Sequence, residues 1–141
     1  MKVLIINSLY YPNVVGGAEI SVQLLAESLL KSGLEPVVVS TSDKEDRNKV
    51  NGVKVYYINH SNLYWLPDFK KKNKVVRMFW HMWDSYNPII NRRIGRIINI
   101  EKPVIAHTNN LAGLSVSVWK ILREKNIPIV HTLRDYLNYE K

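Results

Sequence analysis

Two adjacent glycines, Gly16 and Gly17, separate a short apolar run from an amphipathic stretch near the start of the sequence. Glycines before a helix let a ligand approach the backbone closely, and the helix N-terminus presents N–H groups and a positive dipole end to an anion. The pattern predicts a diphosphate-facing loop, and we include Glu19 among its candidate binding residues. It is neither a Walker A loop nor a G-x-G-x-x-G motif. The competing interpretation is a flexible loop whose glycines adopt positive φ, and the sequence leaves both open.

A second polar cluster begins with His107, which ends another apolar run and is followed by Asn109 and Asn110. At the end of a strand, an imidazole can donate to a sugar hydroxyl or a phosphate oxygen, and two amides can add polar contacts. We therefore take His107 as a candidate catalytic residue and the two asparagines as candidate binding residues. The alternative is a histidine bonded to a backbone carbonyl.

The third cluster contains His131, Arg134 and Asp135 and follows the last apolar run. An arginine there can bind phosphate, and a carboxylate can accept from a sugar hydroxyl or act as a base. Arg134 is thus a candidate donor-binding residue and Asp135 a candidate catalytic residue, with a solvated surface pair as the alternative. For His131 we favour a position inside the strand, facing the core.

Aromatic and basic side chains are interleaved over residues 63–98. Between residues 70 and 96 there are eight Lys or Arg residues and one acid, Asp84, so most of the net charge of +8 is concentrated here. Rings at headgroup level beside cations would suit an anionic membrane surface or an anionic acceptor. The same mixture could bind a nucleic-acid backbone, which we favour less, and a helix stripe packed on the sheet explains only part of it. The candidate contact residues are Trp65, Lys70, Lys71, Lys72, Lys74, Arg77 and Trp80.

The elements that position these clusters follow from the hydrophobic periodicity. It predicts strands at residues 2–7, 37–40, 53–58, 104–107 and 129–132, and helices at 18–32, 75–97 and 111–125. Asn87-Pro88 should break or kink the second helix, because proline lacks a helical donor. Residues 41–51 are predicted as a polar connection, 59–73 as a loop, and 134–139 as the start of a short helix.

This alternation predicts an α/β domain: a Rossmann-like, three-layer structure with a mostly parallel sheet spanning residues 1–141 as one unit. Such sheets bind ligands at the carboxyl ends of their strands. The three polar clusters all fall at predicted strand ends. The sequence therefore predicts one site at one edge of the sheet.

Composition excludes several classes of protein. Cysteine is absent, which removes disulfides and thiolate metal sites and favours a reducing cytoplasm. The first apolar run is too short for a signal peptide, and no apolar run is long enough to span a bilayer. The four histidines have no metal-ligand spacing and there is no serine nucleophile elbow, so we expect no metal and no hydrolase chemistry. A pI of about 9.7 favours anionic partners.

Together, the polar clusters resemble the N-terminal domain of the retaining GT-B enzymes of glycosyltransferase family 4. One part of the resemblance is the run from residue 4 to 39, with Tyr11-Pro12 and then Gly16-Gly17-Ala18-Glu19. The other is residues 102–115 and 127–136, with His107 and the later His131-Thr132-Leu133-Arg134-Asp135. Residues 59–98 match least.

The resemblance implies metal-independent transfer of a sugar, with retention, from a nucleotide-sugar donor to a glycan or lipid-linked acceptor, in a cleft between two Rossmann-like domains. It implies that Gly16 and Gly17 approach the donor diphosphate and that His107 or a neighbour contacts the transferred sugar. The family often has His-x-His where this chain has His107-Thr108-Asn109.

The second, donor-binding domain would come from a longer chain, of which this is a truncated part, or from a partner chain. We expect the 141 residues alone to be inactive, and the whole protein to be cytoplasmic and in contact with the inner face of the membrane. The main alternative is a non-catalytic α/β module that binds a phosphate ligand, an anionic membrane or a polymer through the basic, aromatic segment.

Overall fold

The computed structural model of the protein describes residues 1–59 and 87–133. These residues form six strands and three helices. The strands are β1 (Lys2–Ile6), β2 (Glu35–Ser42), β3 (Asp46–Val50), β4 (Val53–Asn59), β5 (Ile105–Thr108) and β6 (Ile129–His131). The helices are α1 (Gly17–Lys31), α2 (Pro88–Glu101) and α3 (Val118–Glu124).

One sheet has the strand order β3-β4-β2-β1-β5-β6. All its strand pairs are parallel except β3 with β4. In the register around the central strand, Ile5 lies between Val38 of β2 and His107 of β5. The predicted α/β, Rossmann-like fold with a mostly parallel sheet is confirmed.

The sheet has a hydrophobic core on each face, which explains why its central strands are apolar at every position. On one face, which we call the α1 face, Val3 and Ile5 pack with Val22 and Ala26 of α1. On the other, the α2/α3 face, Leu4 and Ile6 pack with residues of α2 and α3 such as Ile94 and Leu122. This alternation assigns each strand side chain to one face.

The predictions for the second and third helices have different outcomes. The break at Asn87-Pro88 is confirmed: Pro88 is the first residue of α2, and the Asn87 side chain accepts from the N–H groups of Ile89 and Ile90. The predicted part of that helix before residue 87 lies outside the described residues. The helix predicted at residues 111–125 was too long, because Gly113 and Ser115 adopt positive φ and α3 begins only at Val118.

The polar connection predicted at residues 41–51 is wrong, because β2 extends to Ser42 and β3 occupies Asp46–Val50. Asn51 and Gly52, with φ of 49° and 86°, form the tight turn into β4. An Asn-Gly pair is the usual signal for such a hairpin. Four of the five β3 residues are exposed and polar or charged, which is typical of an edge strand. Because β3 therefore has no apolar pattern, it was not predicted as a strand.

A buried carboxylate connects α2 to β1 and β4 at the end of the sheet where the parallel strands begin. Glu101, at the end of α2, lies 2.9 Å from the Lys2 Nζ and 3.0 Å from the Lys54 Nζ, and it accepts from the Tyr56 hydroxyl. Burial alone would raise the pKa of Glu101, but the hydrogen bonds from Tyr56, Lys2 and Lys54 outweigh it and lower that pKa to about 2. Burial, reinforced by Glu101, raises the pKa of Tyr56 to about 12. This cluster is at the opposite edge from the predicted site.

Among the helices that the structure describes, none combines the length and apolar character needed to cross a membrane.

Candidate functional site

The site is built where β1, β2 and β5 end. Residues 7–16, which we call the glycine loop, leave β1 between its two neighbouring strands. The buried Asn7 side chain donates to Leu9 O (2.7 Å) and accepts from Asn110 N (3.1 Å). The Ser8 carbonyl accepts from the Thr41 N–H (2.9 Å) and hydroxyl (2.6 Å). The base of the glycine loop is therefore held rigidly by both neighbouring strands.

The two glycines lie where this loop enters α1. Gly16 is the N-cap, with an extended backbone (φ −158°, ψ −167°), and Gly17 is the first helical residue. Neither has a positive φ, so the flexible-loop interpretation that required one is wrong. A Cβ at Gly17 would meet no described atom within 4 Å, and a Cβ at Gly16 would meet only the Glu19 carboxylate at 3.8 Å. Neither backbone strain nor packing among the described residues requires glycine here.

Glu19 serves the helix itself. Its side chain is almost completely buried, and its Oε2 accepts from the Gly16 N–H at 2.8 Å, which is half of a capping box. A carboxylate at this position satisfies one donor of the helix N-terminus and orients the Gly16 peptide. Glu19 is thus positioned to shape the glycine loop, while a direct contact with ligand stays a prediction.

His107 lies one residue before the end of β5, on the α1 face, because Ile105 packs on that face and strand side chains alternate. Its ring is half-buried, and its Nε2 lies 2.8 Å from the Thr132 Oγ1 just beyond β6. The hydroxyl can either donate to or accept from this nitrogen. The bond holds the imidazole beside the strand ends through its Nε2.

The two asparagines after β5 occupy different environments. Asn109 is 2% exposed, and its N–H donates to Ile6 O. Asn110 is half-buried: its carbonyl accepts from the Ser8 N–H and hydroxyl, and its Oδ1 accepts from the Ala112 N–H. Asn109 thus extends the pairing of this segment with β1, and Asn110 holds the glycine loop to the end of β5. Their predicted contact with substrate is a second role that this geometry leaves as a prediction.

His131 differs from its prediction. It is the last residue of β6, but it is exposed rather than facing the core, and its ring forms a T-shaped pair with Trp119, with centroids 5.1 Å apart. Thr108 Oγ1 accepts from the Trp119 indole N–H (3.1 Å) and lies 2.9 Å from the His131 Nδ1. Because that hydroxyl can donate one proton and accept two, and Val130 O also lies 3.4 Å from it, the contact is compatible with either ring tautomer of His131.

The threonines that hold the two histidines were not among the candidate site residues. Thr108 is fully buried and Thr132 is half-buried. Each follows a histidine directly in the sequence, but each pairs with the histidine of the other strand, at 2.9 Å and 2.8 Å. A His-Thr pair at two successive strand ends was the available signal.

Several candidate residues lie outside the described residues. They are Arg134 and Asp135 of the third cluster and the proposed membrane or acceptor contacts Trp65, Lys70, Lys71, Lys72, Lys74, Arg77 and Trp80. Within residues 1–59 and 87–133, no group of three or more His, Asp or Glu side chains could hold a metal ion.

Three comparisons bear on this site. A family model described as Glycosyltransferase Family 4 matches residues 15–139. The chain is 43% identical over 138 residues to the "Uncharacterized 42.6 kDa protein in cps region" of Klebsiella pneumoniae, covering 96% of this chain and 37% of that protein. The structure of the "Catalytic domain of Starch Synthase IV from Arabidopsis thaliana bound to ADP and acarbose" matches with a TM-score of 0.56 and 15% identity, over 94% of this chain and 34% of that one. The last likeness is one of fold, and the chain spans about a third of the length of either relative.

Proposed function

The chain belongs to Glycosyltransferase Family 4, and we therefore propose that it forms the N-terminal, acceptor-side domain of an enzyme that transfers a sugar, with retention, from a nucleotide-sugar donor to a glycan or lipid-linked acceptor. In this proposal the donor diphosphate lies against Gly16 and Gly17, and His107 contacts the transferred sugar. The donor-binding half comes from a second domain, in cis or from a partner chain. No metal takes part.

One observation carries the proposal: the glycines are not explained by the fold of the described residues. Because Gly17 is the first residue of α1 and has open space at its Cβ position, the chain would accept alanine there. A glycine in that setting leaves the helix N-terminus accessible to a close ligand, and a diphosphate suits its dipole and N–H groups. The hydrogen bonds at Asn7 and Ser8 preorganise the loop for such a ligand.

The acceptor class is proposed from the relative in the cps region, which points to a surface polysaccharide or its lipid-linked precursor. Such an acceptor would bring the protein to the inner face of a membrane. The basic, aromatic segment of residues 63–98 supports this part of the proposal through its composition.

The test is a pair of glycine substitutions in the protein at its natural length. Gly17→Ala places a methyl group where the diphosphate should lie, so we expect turnover of the nucleotide sugar to fall about 100-fold while the melting temperature stays unchanged or rises. The matched control is Gly95→Ala in α2, where a Cβ also meets nothing within 4 Å. It should gain up to ~1 kcal/mol of stability with no change in turnover.

The measurement is release of nucleoside diphosphate from UDP-glucose, UDP-galactose and GDP-mannose, together with thermal unfolding of each variant. Wild-type turnover by Gly17→Ala would remove the diphosphate from this loop. A folded wild-type protein that turns over none of a wider panel of donors would favour the non-catalytic module.

A further inference from the structure

A groove of about 620 Å³ runs beside the glycine loop along the edge strand β3. Residues 11–13 of the glycine loop form one part of its wall, and residues 42–44, which are the last residue of β2 and the two that follow it, form another. β3 provides the floor, together with Tyr57 of β4. None of these residues belongs to the clusters singled out in the sequence.

The groove lies on the α1 face of the sheet. Val50 packs into the α1-face core, so Asp46 and Asn48, which alternate with it along β3, project to the same side. Both are exposed and line the groove about 7 Å apart. The Tyr57 hydroxyl donates to Tyr11 O and thereby ties the glycine-loop wall to the sheet.

The chemistry of the lining selects a neutral, hydroxyl-rich ligand. Its charged side chains are two acids and two lysines, so the lining has no net charge, unlike the chain as a whole at +8. An anionic phosphate or polymer would favour a lining with excess positive charge. Carboxylate and amide groups bond to hydroxyl groups, and an exposed aromatic ring offers an apolar face to a sugar ring. Tyr11, which lines the groove and is 52% exposed, provides such a ring.

The groove is also close to the donor edge along the chain, because Asn13, the last residue of its glycine-loop wall, is three residues before Gly16. We propose that this groove, the acceptor groove, binds a neutral sugar residue of the acceptor glycan, with Asp46 and Asn48 as hydrogen-bonding residues and Tyr11 as the stacking ring. The inference rests on the proposed function and gives its acceptor a specific place.

The test compares acceptor use with donor turnover in the protein at its natural length. The double variant Asp46→Ala/Asn48→Ala should raise the KM for acceptor at least about 10-fold, because hydrogen bonds to a charged group and to an amide are lost. Hydrolysis of the donor with no acceptor present should be unchanged.

The matched control is Arg47→Gln, on the same exposed strand but on the opposite face, where its guanidinium lies over the Tyr56 ring. It should keep the wild-type KM, and the single variant Asn48→Ala serves if the double variant unfolds.

The acceptor probe is a set of oligosaccharides of two to six sugars, prepared by partial acid hydrolysis of the surface polysaccharide of the host strain. If the wild type transfers sugar to them and the groove variants keep the wild-type KM, the acceptor groove is overturned and the transferase function stands. If the wild type turns over no donor, the transferase function fails, and calorimetric titration of the same oligosaccharides decides the groove. Binding that Asp46→Ala/Asn48→Ala abolishes supports it, while equal binding or none overturns it.

Discussion

Thr132 shows how a single hydroxyl can position a candidate catalytic side chain. It lies just beyond β6, and its Oγ1 is 2.8 Å from the His107 Nε2 of the neighbouring strand. Strand pairing sets the position of the His107 backbone, and this hydrogen bond sets the orientation of its ring. We therefore regard Thr132 as a positioning residue for His107.

At this scale the prediction is a conservative pair of substitutions. Thr132→Val removes the hydroxyl at nearly constant volume, so turnover of the nucleotide sugar should fall about 5- to 10-fold, the value of one hydrogen bond. Thr132→Ser keeps the hydroxyl and should retain most of the activity. Steady-state kinetics of both variants at natural length, with melting temperatures as the check on folding, provide the measurement. Equal rates for the wild type and Thr132→Val would show that the bond has no part in the reaction.

Among the elements, α2 has an N-terminus that is well capped and a C-terminus that is strained. Asn87 and Pro88 cap its start, but its C-cap residue, Lys102, adopts a left-handed conformation with φ 49° and ψ 56°. Left-handed backbone costs a non-glycine residue free energy that glycine does not incur. The exposed Lys102 side chain is not needed for packing.

The prediction for this element is that Lys102→Gly raises the free energy of unfolding by up to ~1 kcal/mol. Lys102→Ala, which removes the charge but keeps the Cβ, should give no gain. Urea denaturation of the two variants tests this. A destabilised Lys102→Gly would mean that flexibility gained in the unfolded chain outweighs the strain relieved in the helix.

At the scale of the whole molecule, Glu101 connects α2 to β1 and β4 at the end of the sheet opposite the candidate site. Its pKa is lowered to about 2 in the folded protein from an ordinary value of 4.5. A carboxyl group with a depressed folded pKa stabilises the fold fully above its unfolded pKa, and this contribution is lost as the pH falls. We therefore expect the Glu101 contribution to disappear between about pH 4.5 and pH 2.

Glu101→Gln should lower the free energy of unfolding at pH 7 by about 3 kcal/mol, because Lys2 and Lys54 lose their shared anion. Its stability should also depend less on pH in the acid range. Urea denaturation at a series of pH values measures both effects. Glu124→Gln is the control, since that exposed side chain lies 4.0 Å from the Lys120 Nζ and should contribute under ~0.5 kcal/mol. A Glu101→Gln variant as stable as the wild type would contradict the role assigned to the cluster.

The sequence by itself determined the α/β fold, the order of the apolar strands along the chain and the position of the glycines before α1. These depend on local patterns, namely apolar runs of strand length, a helical stripe, and Pro88 after Asn87. The Asn-Pro pair indicates a helix start independently of the tertiary structure. It also placed Gly16 and His107 at the same edge of the sheet, because parallel strands present their carboxyl ends together.

Only the tertiary structure decided what those residues do in the fold. Gly16 and Gly17 do not adopt positive φ, and the start of the glycine loop is held by Thr41 and Asn110, which are distant from it in sequence. The pairing of His107 with Thr132, the exposure of His131 and the groove along β3 arise from strand register and edge position. A local pattern does not encode these, since they are set by which strands become neighbours and which one is left at the edge.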